Sequence, residues 1–177
     1  AFGYAALKLN TIGINNSAFG YQALIANTTG SYNDASGANS LRENTIGSYN
    51  VAQGNGTLWS NISGNRNIAM GWHAGYGNAT GSDNISIGYE AGLNLTGSHN
   101  TIIGGYTGPT GSAVNNATLI GNYTTVADIS NSIVLADGSG NTSLIINSSA
   151  IVSAVNTSDR YIGLTINGTT YKLLLST

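Results

Sequence analysis

Glycine recurs in this chain at a fixed interval, and no other feature constrains the fold as much. Gly3, Gly20, Gly37, Gly54, Gly71 and Gly88 stand 17 residues apart, and Gly13, Gly30, Gly47, Gly64 and Gly81 repeat the same step. Two glycines per unit fit a coil with two corners, where the backbone turns sharply or takes positive φ. The phase slips once, between Gly92 and Gly97, where a unit is one residue short; Gly97, Gly104, Gly121 and Gly138 follow less regularly.

Other residues keep the same phase. Asn16, Asn33, Asn50, Asn67, Asn84 and, after the slip, Asn100 occupy one column; Asn10, Asn27, Asn44, Asn61, Asn78 and Asn94 occupy another. Amides stacked at the β spacing of roughly 4.8 Å donate to one neighbour and accept from the other, so these columns predict hydrogen-bonded ladders. Ala1, Ala18, Ala35, Ala52 and Ala69 form an apolar column, as do Leu7, Leu24, Leu41 and Leu58, and both are expected to face inward. Segments such as Asn67-Ile68-Ala69-Met70-Gly71 alternate with period two and are too short for helices. The fold class is therefore all-β: a parallel β-solenoid or β-roll of about six 17-residue units, with one or two short strands each. An inner column of alanine calls for close approach of another surface. The expectation is a homotrimer, intertwined or packed about a shared axis.

Only 7% of the 177 residues are charged, while 41% are hydrophobic, so amides and hydroxyls must carry solubility. A net charge of -2 with five Lys and Arg gives no footprint for nucleic acid or anionic membrane. No apolar run long enough for membrane insertion is present. With no cysteine, disulfides and thiolate metal sites are excluded. The chain opens on Ala1-Phe2-Gly3-Tyr4, in mid-repeat, and is expected to be cut from something longer.

The units Ser17-Ala18-Phe19-Gly20-Tyr21-Gln22-Ala23-Leu24 and Asn84-Ile85-Ser86-Ile87-Gly88-Tyr89-Glu90-Ala91-Gly92 are joined by Asn27-Thr28-Thr29-Gly30-Ser31 or Thr96-Gly97-Ser98-His99-Asn100. They resemble the repeats of phage and large-virus tail fibres. More distantly, they are similar to the head repeats of trimeric autotransporter adhesins, which form parallel β-rolls as homotrimers. The resemblance covers residues 1 to about 108. It implies a structural fibre or surface adhesin, extracellular, on a virion or cell surface, with no cofactor and with a host-surface glycan or receptor as the external partner.

Three regions follow: a repeat solenoid over 1–108, an irregular β extension over 109–158 that opens with Pro109-Thr110-Gly111, and a C-terminal β-hairpin cap over 159–177. In the hairpin, Asn167-Gly168 suits a type I′ turn between Tyr161–Ile166 and Thr169–Leu175. Pairing across it puts Ile162, Leu164 and Ile166 on one face with Tyr171, Leu173 and Leu175, and sister chains are expected to cover that face. The chaperone domain that ends many tail fibres is not expected within these residues.

Candidate chemistry is sparse. Arg66, Asp83 and His99 fall in one column and predict a surface row of alternating charge. Ser98 beside them would complete a triad only if a stacked face offered an oxyanion hole, so no catalytic residue is assigned. Asp137-Gly138-Ser139-Gly140-Asn141 has the alternating oxygens of a calcium loop without its bidentate Glu, and no metal is assigned. Sequons are frequent, and Asn27, Asn61, Asn78 and Asn94 place them in one column, expected to be exposed. The aromatic residues Tyr4, Tyr21, Trp72 and Tyr89 follow the first glycine series at a corner of the coil. Tyr21, Trp72, His73 and Tyr89 are the candidate binding residues, as an extended platform for sugars; the alternative is that the rings only shield the corner. Competing functions are a tailspike-like glycan hydrolase, a plain surface filament or spacer, and an ice-binding solenoid. The last fits poorly, because Thr11, Thr28 and Thr45 give way to Ile62, Ala79 and Leu95.

Overall fold

Through residue 103, each strand begins just after an asparagine of one column and stops at a glycine, so its length of three residues is written into the repeat. The computed structural model describes residues 1–109, 113–123, 125–126, 129–136, 142–147, 161–166 and 169–174. The strands are β1 (Ser17–Phe19), β2 (Asp34–Ser36), β3 (Val51–Gln53), β4 (Ile68–Met70), β5 (Ile85–Ile87), β6 (Thr101–Ile103), β7 (Gly108–Pro109), β8 (Thr118–Ile120), β9 (Thr125–Val126), β10 (Ser132–Ala136), β11 (Thr142–Asn147), β12 (Tyr161–Ile166) and β13 (Thr169–Leu174). One sheet runs β1-β2-β3-β4-β5-β6-β8-β10-β11, parallel throughout except for the last pair. Identical repeat positions pair: Ala18 with Ala35, Ala35 with Ala52, Ala52 with Ala69. The result is a β-solenoid of about seven turns at roughly 17 residues per turn, with no helix among the described residues.

The stack continues past residue 108 through β8 and β10, and β7 pairs with β9 as a second short parallel ladder. β12 and β13 form an antiparallel hairpin that aligns Ile162 with Leu173 and Leu164 with Tyr171. Its Asn167-Gly168 turn, Leu175 and the segment from Asp137 to Asn141 lie outside the described residues.

In each coil the middle strand residue points inward and its neighbours outward. Ala18, Ala35, Ala52 and Ala69 are fully buried, together with Leu24, Leu41 and Leu58. Burying one such leucine stabilises by about 1.5–3 kcal/mol. This corrects the expectation that the alanine column calls for another surface: it is fully buried within the single chain, packed against the leucines of its own narrow coil.

The core changes character at the slip. Beyond it Ile102, Leu119 and Val134 replace alanine at the inward position, and they form a second cluster with Ala91, Leu95, Val114, Ala117 and Ile129. Leu95, fully buried, takes the inward place expected for Asn94, which is exposed instead.

The two glycine series have different causes. Gly20 and Gly37 adopt φ of 137° and 139°, where glycine is strongly favoured. Gly30 does not take positive φ; a methyl group there would overlap the Gly47 carbonyl oxygen and lie 2.5 Å from Asn27 Oδ1. Among the described residues, left-handed backbone falls also on 19 non-glycine residues, none β-branched, including Leu24 and the column Asn15, Tyr32, Tyr49, Arg66, Asp83, His99, Asn116 and Asn131.

Candidate functional site

The asparagine column at the start of the strands is a continuous ladder. Asn33 Nδ2 donates to Asn16 Oδ1 at 3.1 Å, and the pattern repeats through Asn50, Asn67 and Asn84 to Asn100, which donates at 3.0 Å. Each Oδ1 also accepts the backbone N–H of the next asparagine, and each second amide hydrogen goes to a carbonyl such as Gly47 O, at 2.9 Å. Every polar atom of these buried amides is thus partnered. The ladder ends where Ala117 follows Asn100 and donates only its backbone N–H.

The second ladder is shorter. Asn27 donates to Asn10, Asn44 to Asn27 and Asn61 to Asn44, at 2.7 to 2.8 Å. It stops at Asn78, where the oxygens of both Asn61 and Asn78 lack a donor and Leu95 follows in place of an amide. Asn27, Asn61 and Asn78 are buried, which corrects the expectation of an exposed sequon column; among those four only Asn94 faces solvent.

Aromatic rings gather at the corner after the strand. Tyr21 stacks on Tyr4 at 5.4 Å, but Ala38 and Asn55 hold the next two places and separate it from the rest. Trp72, His73 and Tyr89 do come together: the imidazole lies 3.5 Å from the indole, and Tyr89 stacks on Trp72 at 4.8 Å. The column then continues through Tyr106 and Tyr123, at 4.8 and 5.1 Å. Sequence reasoning missed these two because they follow the shortened unit one place away from the glycine frame. Their signal was present, since 89, 106 and 123 keep the 17-residue step.

A second aromatic pair, Trp59 and Tyr76 at 5.7 Å, is capped by the Arg42 guanidinium 4.9 Å above the indole, and Trp59 Nε1 donates to Glu43 at 3.2 Å. Stacked rings spend their faces on one another and offer mainly edges to solvent. A sugar platform needs free faces, so the arrangement presents phenolic hydroxyls and ring edges more than stacking surfaces. The hydrogen bond with Tyr106 is the main cause that pushes the Tyr89 hydroxyl up to about 12, so Tyr89 stays neutral through the physiological range.

On the other side of the strand, Arg66 makes a bidentate contact with Asp83 at 2.6 and 2.8 Å, and His99 Nε2 lies 3.6 Å from Asp83 Oδ2. The Arg66 hydrogen bond holds the Asp83 carboxyl below its usual value. A depressed carboxylate contributes stability above its unfolded pKa and loses it as pH falls through the folded one. Arg66 and His99 are exposed and Asp83 is only half-buried, so that contribution is small. No protein-family model, no curated protein and no solved structure matches this chain.

Proposed function

We propose that this chain is a structural fibre segment that assembles as a homotrimer and displays a recognition surface from a virion or cell surface, without catalysis. The observation that carries the reading is the outward face of the sheet. In β1 to β3 its positions are largely polar, with Ser17, Asp34, Ser36 and Gln53. From β4 onward, apart from Thr101 and Thr118, they become Ile68, Met70, Ile85, Ile87, Ile103, Ile120, Ile133 and Leu135, and six of these eight are more than a third exposed in the single chain. Five strands at about 4.8 Å give a flat apolar strip about 20 Å tall. Soluble chains rarely leave such a strip uncovered, and copies of the same chain, carrying the same strip in the same register, are its simplest cover. The resemblance of the repeats to tail-fibre and adhesin repeats supports the extracellular placement.

Native mass measurement tests the assembly. The expected mass is about three times 18.0 kDa. Ile103→Asp with Ile120→Asp should give a folded monomer, because both side chains point away from the core. A wild-type monomer at micromolar concentration, or a trimer indifferent to the aspartates, would overturn it. A plain spacer is the second reading, favoured by the stacked rings having few free faces. Host-glycan binding that is lost in trimeric Trp72→Ala and Tyr89→Ala variants supports display, and no binding by any form leaves the spacer.

A further inference from the structure

The surface beside the shortened unit is not closed. Between Glu90–Asn94 on one coil and Tyr106–Pro109 with Thr125 on the next ones lies an open cleft with about 420 Å³ of empty space, continuous with solvent. Its walls are mostly apolar, formed by Leu93, Pro109 and the Tyr106 ring. Glu90 is its one charged lining residue, and among the described residues Glu90 forms no ion pair.

From this geometry we infer that the cleft binds a protonated primary amine carried on a small apolar body. An ionised carboxylate only accepts hydrogen bonds, so an incoming group must donate several or carry positive charge. A neutral apolar ligand would strip water from Glu90 and leave it unpaired, and an anion would be repelled. An ammonium group does neither: it donates to the carboxylate in a charge-assisted bond. Leu93 and Pro109 then cover the carbon body. The inference goes beyond the fibre reading and does not depend on it, since the cleft belongs to one chain and is present in a monomer or a trimer.

The experiment is a titration of the full chain with n-butylammonium chloride and with glucosamine hydrochloride, followed by amide chemical shifts and calorimetry. n-Butanol and N-acetylglucosamine serve as uncharged counterparts. At least one ammonium probe should bind and shift the Leu93, Thr107 and Thr125 amides, with its uncharged counterpart about tenfold weaker or worse. n-Butylammonium should bind more tightly than glucosamine, because the walls that cover the body are mostly apolar, and the reverse order would overturn the apolar-body assignment. Glu90→Gln should lose the same factor while keeping the fold, because Gln22 already holds the equivalent position at φ 54°, against 53° for Glu90. The inference fails if neither ammonium probe shifts these amides, if the uncharged counterparts bind equally, or if Glu90→Gln binds as tightly as the parent.

Discussion

Leu24 and Leu41 are held at φ of 51° and 49°, a backbone state that costs about 1–2 kcal/mol for a residue with a Cβ. Their complete burial returns a comparable amount, so the corner is tolerated and leucine is not replaced by glycine. Partnered amides stabilise the neighbouring corner, and the fault between Asn61 and Asn78 makes that claim measurable. Asn44→Ala strands the Asn27 oxygen and an Asn61 amide hydrogen, and should cost about 2–3 kcal/mol. Asn61→Ala strands only one ladder partner, the Asn44 oxygen, because its own Oδ1 already lacks a donor, and should cost about half as much. Denaturation midpoints of the two variants decide it, and equal losses would mean that the ladder runs unbroken through Asn78.

At the level of the strand and its corners, much is legible in the sequence. The 17-residue step gives the parallel register, and the Asn16-to-Asn100 column gives a ladder that the structure pairs throughout. What is not legible has physical causes. Positive φ is expected at glycine, whereas most left-handed positions carry Leu, Asn, Tyr or a charged residue whose side chain packs or pairs along the stack. Asn94 belongs to a ladder by residue type, yet Leu95 stands the full 17 residues after Asn78 and holds that place, and the missing residue falls after it. Tyr106 escapes a search by glycine frame because the ring column and the glycine column part company after Tyr89. The role of the second glycine series, room for a neighbouring carbonyl, predicts unequal effects of one substitution. Gly47→Ala meets Asn44 Oδ1 and the Gly64 oxygen and should destabilise by about 3 kcal/mol. Gly105→Ala, whose nearest neighbour is 3.6 Å away and whose φ is not positive, should be neutral or gain about 0.4–1 kcal/mol. Thermal unfolding of both variants checks the pair, and similar losses would show that conformational freedom, not space, selects glycine at Gly47.

For the whole molecule, stability is a sum over coils and the interfaces between adjacent ones, so an excised unit should matter less than a broken register. Removing residues 34–50 joins Asn33 to Val51 and brings β1 against β3, with Ala18 on Ala52 and Phe19 beside Gln53, the same columns as before. Asn33 then meets Asn67, and Leu24 meets Leu58, so both core and ladder close over the gap. At the surface the deletion takes Tyr49 away from Tyr32 and takes Arg42 and Glu43 away from Trp59, all of them exposed or half-buried groups. Removing residues 35–50 instead leaves one residue too many and shifts the strand by one place, which turns its inward side chains to solvent. The chain already shows what a one-residue change demands: between Gly88 and Gly104 the unit is shortened, the strands β5 and β6 still pair in frame, and the loss is absorbed in the far wall, where the second ladder ends and Leu95 turns inward. A change placed inside the strand has no such wall to absorb it. The 34–50 deletion should therefore keep its β-sheet circular dichroism and cooperative unfolding with a modestly lower midpoint, while the 35–50 deletion should lose cooperativity or fail to fold. Equal damage from the two deletions would refute the additive picture, since only register distinguishes them.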